Sequence, residues 1–131
     1  MSQAVLDASA VLALMLGEVG ADKVAAVLPD ALISTVNVAE VVSKIVERDM
    51  FAHTKAYHAI QDLGIEMVDF DADQALVCGA LRWLTRDHGL SLGDRACLAL
   101  GKVRNLPILT ADRAWLKVAE PALVRVISIR D

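Results

Sequence analysis

The chain has 131 residues, 56% of them hydrophobic and 23% charged, with a formal net charge of −4 at pH 7. That length fits one domain over residues 1–131 that can bury a core without disulfides or a structural metal. Apolar runs such as 10–16 and 36–42 are too short or interrupted to cross a bilayer, and no basic segment precedes an N-terminal apolar stretch, so a cytoplasmic protein without membrane contact is expected.

In chain order, a strand predicted at 3–6 leads through Asp7 into helices at 10–16 and 21–28. A second strand at 32–34 leads into helices at 36–48 and 54–63. A third at 66–68 precedes helices at 72–86 and 92–102. The fourth, at 108–110, passes Asp112 into a short helix at 114–118, and a fifth at 124–129 completes the set. The strands are short and mostly β-branched or leucine-rich, whereas the intervening segments repeat with helical period. Such alternation predicts an α/β fold with a mostly parallel sheet of about five strands. Two helices separate the second strand from the third, and the third from the fourth, so one of each pair is expected to lie across the sheet. Cys78 and Cys97 lack any C-x-x-C spacing and are read as reduced, buried, small apolar side chains.

In a parallel α/β sheet the strand C-termini and helix N-termini share one edge, where ligands generally bind. Asp7 follows the first strand, Asp112 follows the fourth, Asp94 opens the helix before the fourth, and Glu40 lies near the start of the helix after the second. Taken singly, each has an ordinary explanation. Asp7 and Asp112 can cap helices, and Ser91-x-x-Asp94 resembles a capping box with Asp in place of Glu or Gln. Glu40 falls opposite the face formed by Val38, Val41, Val42 and Ile45, together with Ser43, Lys44 and Glu47, which reads as solvated.

Taken together, the four acids point to a cation. Two carboxylates about 4 Å apart repel by roughly 4 kcal/mol at an effective dielectric of about 20, so a cluster requires raised pKa values or a positive ion. Carboxylate and water ligands suit Mg²⁺ or Mn²⁺; zinc would normally recruit His or Cys, and no His-x-x-x-His pair is present. Nor is there a P-loop, a G-x-G-x-x-G or a G-x-S-x-G motif.

The acidic balance argues against indiscriminate affinity for a phosphate backbone, but the charge is unevenly spread. Residues 82–117 hold seven Lys and Arg against three Asp, leaving six against fourteen acids elsewhere. Arg95 and Arg113 stand beside Asp94 and Asp112 and are candidate contacts to RNA phosphates, although solvated helix faces account for the same pattern. Rival readings are a phosphoaspartyl phosphotransfer protein using Asp7, and a non-catalytic interaction module whose acids only cap helices. The first usually needs a second acid near that Asp or a lysine after a late strand; Ala8 and Ser9 follow Asp7, and residues 128–130 offer no lysine.

The segments Val5-Leu-Asp-Ala-Ser-Ala-Val-Leu-Ala13, Ser34-Thr-Val-Asn-Val-Ala-Glu-Val-Val42, Ser91-Leu-Gly-Asp-Arg-Ala-Cys-Leu-Ala99 and Leu109-Thr-Ala-Asp-Arg-Ala-Trp115 together resemble the PIN domain, most closely the VapC-type toxins of bacterial type II toxin–antitoxin pairs. Each motif is weak alone; the ordered set is specific and covers nearly the whole chain. The resemblance implies a three-layer α/β/α fold and a Mg²⁺- or Mn²⁺-dependent endoribonuclease whose products carry 5′-phosphate and 3′-hydroxyl ends. It matches Asp7, Glu40, Asp94 and Asp112 to the acidic metal site, and Ser9, Asn37 and Thr110 to accessory polar positions. It further implies a VapB-like antitoxin that blocks the cleft and a homodimer as the basic unit. Trp115 and Leu116 stand where many relatives carry another acid or Asn, which leaves the number of metal ions, one or two, open.

Overall fold

The computed structural model describes residues 3–130. Five strands, β1 (Ala4–Leu6), β2 (Ala31–Ser34), β3 (Glu66–Val68), β4 (Ile108–Thr110) and β5 (Val126–Ser128), form one sheet in the order β3-β2-β1-β4-β5. Every neighbouring pair is parallel, with Val5 opposite Leu32 on one side and Ile108 on the other. The predicted five-strand parallel α/β fold is therefore present. Only the ends shift: β1 begins one residue later than expected, β2 one residue earlier, and β5 is shorter at both ends.

The helices are α1 (Ala8–Leu16), α2 (Ala21–Ala25), α3 (Thr35–Val46), α4 (His53–Asp62), α5 (Ala72–Leu84), α6 (Leu92–Arg104) and the short α7 (Ala119–Ala122). Side chains alternate across the strands, so each face of the sheet has its own core. Ala4, Leu6, Ala31 and Ile33 pack with Val11, Val24, Val38, Val41 and Ile60 from α1 to α4. Val5, Leu32 and Ile108 pack on the other face with Cys78 and Leu81 of α5, Leu98 and Leu100 of α6, and Trp115, Val118 and Ala122. The result is a sheet between two helical layers, and both cysteines are free and buried as expected.

The helix pairs depart from expectation: α3 and α4 share one face, and α5 and α6 share the other, so no pair is split across the sheet. Handedness supplies the reason. A parallel crossover is almost always right-handed, so connections stepping from β1 to β2 to β3 keep their helices on one face. From β3 the chain must step back past β2 and β1 to reach β4, and that reversal puts its helices on the opposite face. The predicted helix at 114–118 is instead a 3₁₀ segment at Arg113–Lys117 that runs into α7. No helix among the described residues is long and apolar enough to cross a membrane.

Candidate active site

The reversal leaves β1 and β4 side by side with their connections departing to opposite faces. The crevice beyond their C-terminal ends is where such sheets bind ligands. Asp7 and Asp112 stand at these two strand ends. Asp7, Ser9, Asn37, Glu40, Asp94 and Asp112 all line one cavity of about 210 Å³, with Lys44 and Trp115. Thr110 lies beneath it, buried, and reaches the cavity through Asp7.

Asp7 is only 4% exposed. Its Oδ1 caps α1 by accepting from the Ala10 amide at 2.8 Å, and its Oδ2 accepts from the Thr110 hydroxyl at 2.6 Å. The Ser9 hydroxyl lies 2.7 and 2.9 Å from the two carboxylate oxygens. Ser9 Oγ in turn accepts from the Ala111 amide at 2.9 Å, and Thr110 Oγ1 accepts from the Asp112 amide at 3.0 Å. These bonds tie the turn after β4 to the turn after β1. Burial pushes the Asp7 carboxyl up to about 6; the Thr110, Ser9 and Ala10 hydrogen bonds oppose that rise and the negative charge of Asp94 adds to it.

Asp94 completes a capping box at the start of α6: its Oδ2 accepts from the Ser91 amide at 3.0 Å, and Ser91 Oγ accepts from the Asp94 amide at 3.1 Å. Asp112 caps the 3₁₀ segment, Oδ1 accepting from the Ala114 amide at 2.9 Å. Capping therefore does not compete with clustering. Each cap pins one carboxylate oxygen while the side chain still lines the cavity.

Glu40 is half-buried, contrary to the solvated position read from its helix face. The first turn of α3 reaches past the end of the sheet: Val38 and Val41 pack into the core of α1 to α4, whereas Val36 packs into the core under α6. Asn37 joins the two helices, its Nδ2 donating to Glu40 Oε1 at 2.7 Å and to the Gly93 carbonyl at 3.0 Å. A methyl group on Gly93 would collide with both Glu40 oxygens, so the absent side chain is the seat of the carboxylate. Cys97, one turn after Gly93, registers the convergence. Burial raises its thiol well above the usual range, and the charges of Asp7, Asp94 and Glu40 each raise it further.

Arg95 is half-buried in the first turn of α6. Its guanidinium turns toward α5, Nη1 donating to the Cys78 carbonyl at 3.1 Å. Arg113 is exposed beside Asp112 and lines adjoining recesses. Two residues at the cavity were missed. Gly93 immediately precedes Asp94, and Lys44 lies one helical turn after Glu40, a spacing that places both on one face.

Among the described residues, no three His, Cys, Asp or Glu side chains are close enough to form a ready-made coordination sphere. The donor set nevertheless suits a hard divalent ion: four carboxylates beside the Ser9 and Asn37 side chains, no thiol or imidazole lining the cavity, and one acid held above its usual pKa by burial and by a neighbouring acid.

The PIN-domain family model matches residues 4–121. The chain belongs to the PIN-domain family. Among solved structures, this PIN domain is similar to a chain of a toxin–antitoxin complex from Klebsiella pneumoniae, at 20% identity and a TM-score of 0.73, covering 97% of this chain and 98% of that one. It is also similar to a chain of DNA-bound VapBC from Salmonella typhimurium, at 15% identity and a TM-score of 0.74, over 98% and 99% of the two chains. A third, VapBC2 from Rickettsia felis bound to a promoter DNA fragment, gives 17% identity and a TM-score of 0.73 over 95% and 97%. At these identities the likeness is one of fold. No curated protein matches by sequence.

Proposed function

We propose that this PIN domain is a Mg²⁺- or Mn²⁺-dependent endoribonuclease and the toxin of a VapC-type toxin–antitoxin pair. The reading rests on one observation: four carboxylates from four separate segments line a single cavity at the point where the sheet reverses direction. Membership of the PIN family supports nuclease chemistry. The toxin–antitoxin complexes among its structural neighbours support a VapB-like partner, and a homodimer as the working unit is part of the same proposal.

Asp7, Asp94 and Asp112 would hold the ion, with Glu40 as a further ligand or as the group that orients the attacking water. A bound divalent cation supplies Lewis acidity, making water a better nucleophile and taking up negative charge that grows on the phosphate. The chain's own part is to hold the acids still. Thr110 and Ser9 donate to Asp7, the Ser91 and Ala114 amides fix one oxygen each of Asp94 and Asp112, and Asn37 fixes Glu40. Such fixed orientation lowers the reorganisation needed as the reaction proceeds. Burial of Asp7 keeps water away from its inner oxygens and leaves it as the site's least solvated anion.

The test is cleavage of RNA by the purified, antitoxin-free protein with millimolar Mg²⁺ or Mn²⁺. Asp94→Asn keeps a capping acceptor and should lower the rate by about 10²–10³. Wild-type rates from Asp94→Asn would overturn the mechanism. Sequencing 5′ ends after brief induction would identify the RNA cut.

A further inference from the structure

Lys44 lies one turn after Glu40 on α3 and lines the acidic cavity, where among the described residues it is the one cation beside Asp7, Glu40, Asp94 and Asp112. A glutamate four residues before a lysine is the favourable order for an ion pair on a helix. Here Glu40 is engaged elsewhere: the Asn37 amide donates to it at 2.7 Å, and its carboxylate is seated against Gly93. Lys44 Nζ turns the other way along the helix, to Glu47 Oε2 at 3.9 Å, with the two side chains 65% and 68% exposed. So long and exposed a pair is weak and readily exchanged. Beside the cavity, a recess of about 260 Å³ between α1 and α3 shares Leu12 and Lys44 with it. The charged side chains of that recess balance, Glu18 and Glu47 against Lys44 and Arg48, so any pull of Lys44 on an anion is local.

Four carboxylates repel a phosphodiester, and one divalent ion offsets only part of that repulsion. An ammonium at the mouth of the cavity offsets more of it. Its flexible stem and three donors let it reach a phosphate oxygen from a range of approaches. We propose that Lys44 leaves Glu47 to contact the RNA backbone phosphate that enters the acidic cavity. This deepens the nuclease reading and rests on it for the substrate. Such a contact positions the chain without reading its sequence. The same positive charge opposes a cation at the acids, so Lys44 should strengthen the binding of RNA and weaken that of the divalent ion.

Two measurements of opposite sign test the contact, on side chains that lie outside the core. The first is binding of a short unstructured oligoribonucleotide to the Asp94→Asn protein in millimolar Mg²⁺, followed by anisotropy. Lys44→Gln should weaken it about fivefold and flatten its dependence on monovalent salt, whereas Lys44→Arg should match the parent. Arg104→Gln, the same loss of charge at the far end of α6, is the control and should leave binding nearly unchanged. The second is calorimetry of Mn²⁺ with the RNA-free protein carrying all four acids, where Lys44→Gln should bind about twofold more tightly. If Lys44→Gln binds RNA as Arg104→Gln does while the wild type cleaves RNA, the contact is wrong and the nuclease reading survives. Weaker RNA binding with unchanged Mn²⁺ affinity would put the contact away from the acids and overturn it too. Lysine-dependent binding with tighter Mn²⁺, but without wild-type cleavage, would retain the contact and remove the nuclease. Neither binding nor cleavage would overturn both.

Discussion

Asp7 holds its negative charge at a cost to the folded chain. With a carboxyl near 6 against an ordinary 3.8, the native state holds this proton more tightly than the unfolded state does. Stability from this group is therefore fully present below pH 4, declines as pH rises through 6, and is lower by up to about 3 kcal/mol above that. Asp7→Asn retains an oxygen for the α1 cap and removes the charge. In EDTA at pH 7.5 it should melt roughly 5 °C higher than the parent, and the gap should close as pH falls toward 4.5. A gap independent of pH would show that the burial cost has been misassigned. Asp7 was legible as a candidate-site residue because a carboxylate directly after a strand sits at the edge where parallel sheets generally bind ligands. Its hydroxyl partners come from Ser9 and from Thr110, 103 positions away, and only the second required the fold to be known.

At the scale of elements, the contact between α3 and α6 carries Glu40. Periodicity within α3 placed this glutamate on the solvated face because a helical wheel counts only one helix's own apolar stripe. It has no means of including a second helix that crosses the first turn. Gly93 is where that crossing is decided. Gly93→Ala should cost about 1–3 kcal/mol by overpacking and should lower RNA cleavage about as much as Glu40→Gln does. Adding Glu40→Ala to Gly93→Ala should recover the stability, read from denaturant midpoints, without recovering cleavage. A double variant no more stable than Gly93→Ala would locate the strain elsewhere. Strands were legible almost to the residue, since β3 and β4 match their predicted bounds. Helix placement was not. The same-face pairing of α5 and α6 follows from β4 lying beside β1, and strand order is a property of pairing that no single segment encodes.

For the whole molecule, crowded acids predict a response to cations. A ligand that binds only the folded state stabilises it by RT ln(1 + [L]/Kd), about 1.4 kcal/mol at a tenfold excess over Kd. Millimolar Mn²⁺ at pH 7.5 should thus raise the melting temperature by a few degrees, and that rise should shrink in the Asp7→Asn, Asp112→Asn double variant whatever its starting Tm. Equal rises in both proteins would mean that the ion binds elsewhere.

The sheet order also affects the chain during its synthesis. The first 68 residues contain β3, β2 and β1 and can pair these three, but the other edge of β1 stays open until residues 108–110 are made. Asp94 and Asp112 belong to that later portion. A truncated product would hold Asp7 and Glu40 beside an uncovered strand edge, with no second half to the crevice. A chain that stops before Asp94 holds only half of the four acids. On the proposed nuclease reading, the order of the strands would keep a partial chain from cutting RNA.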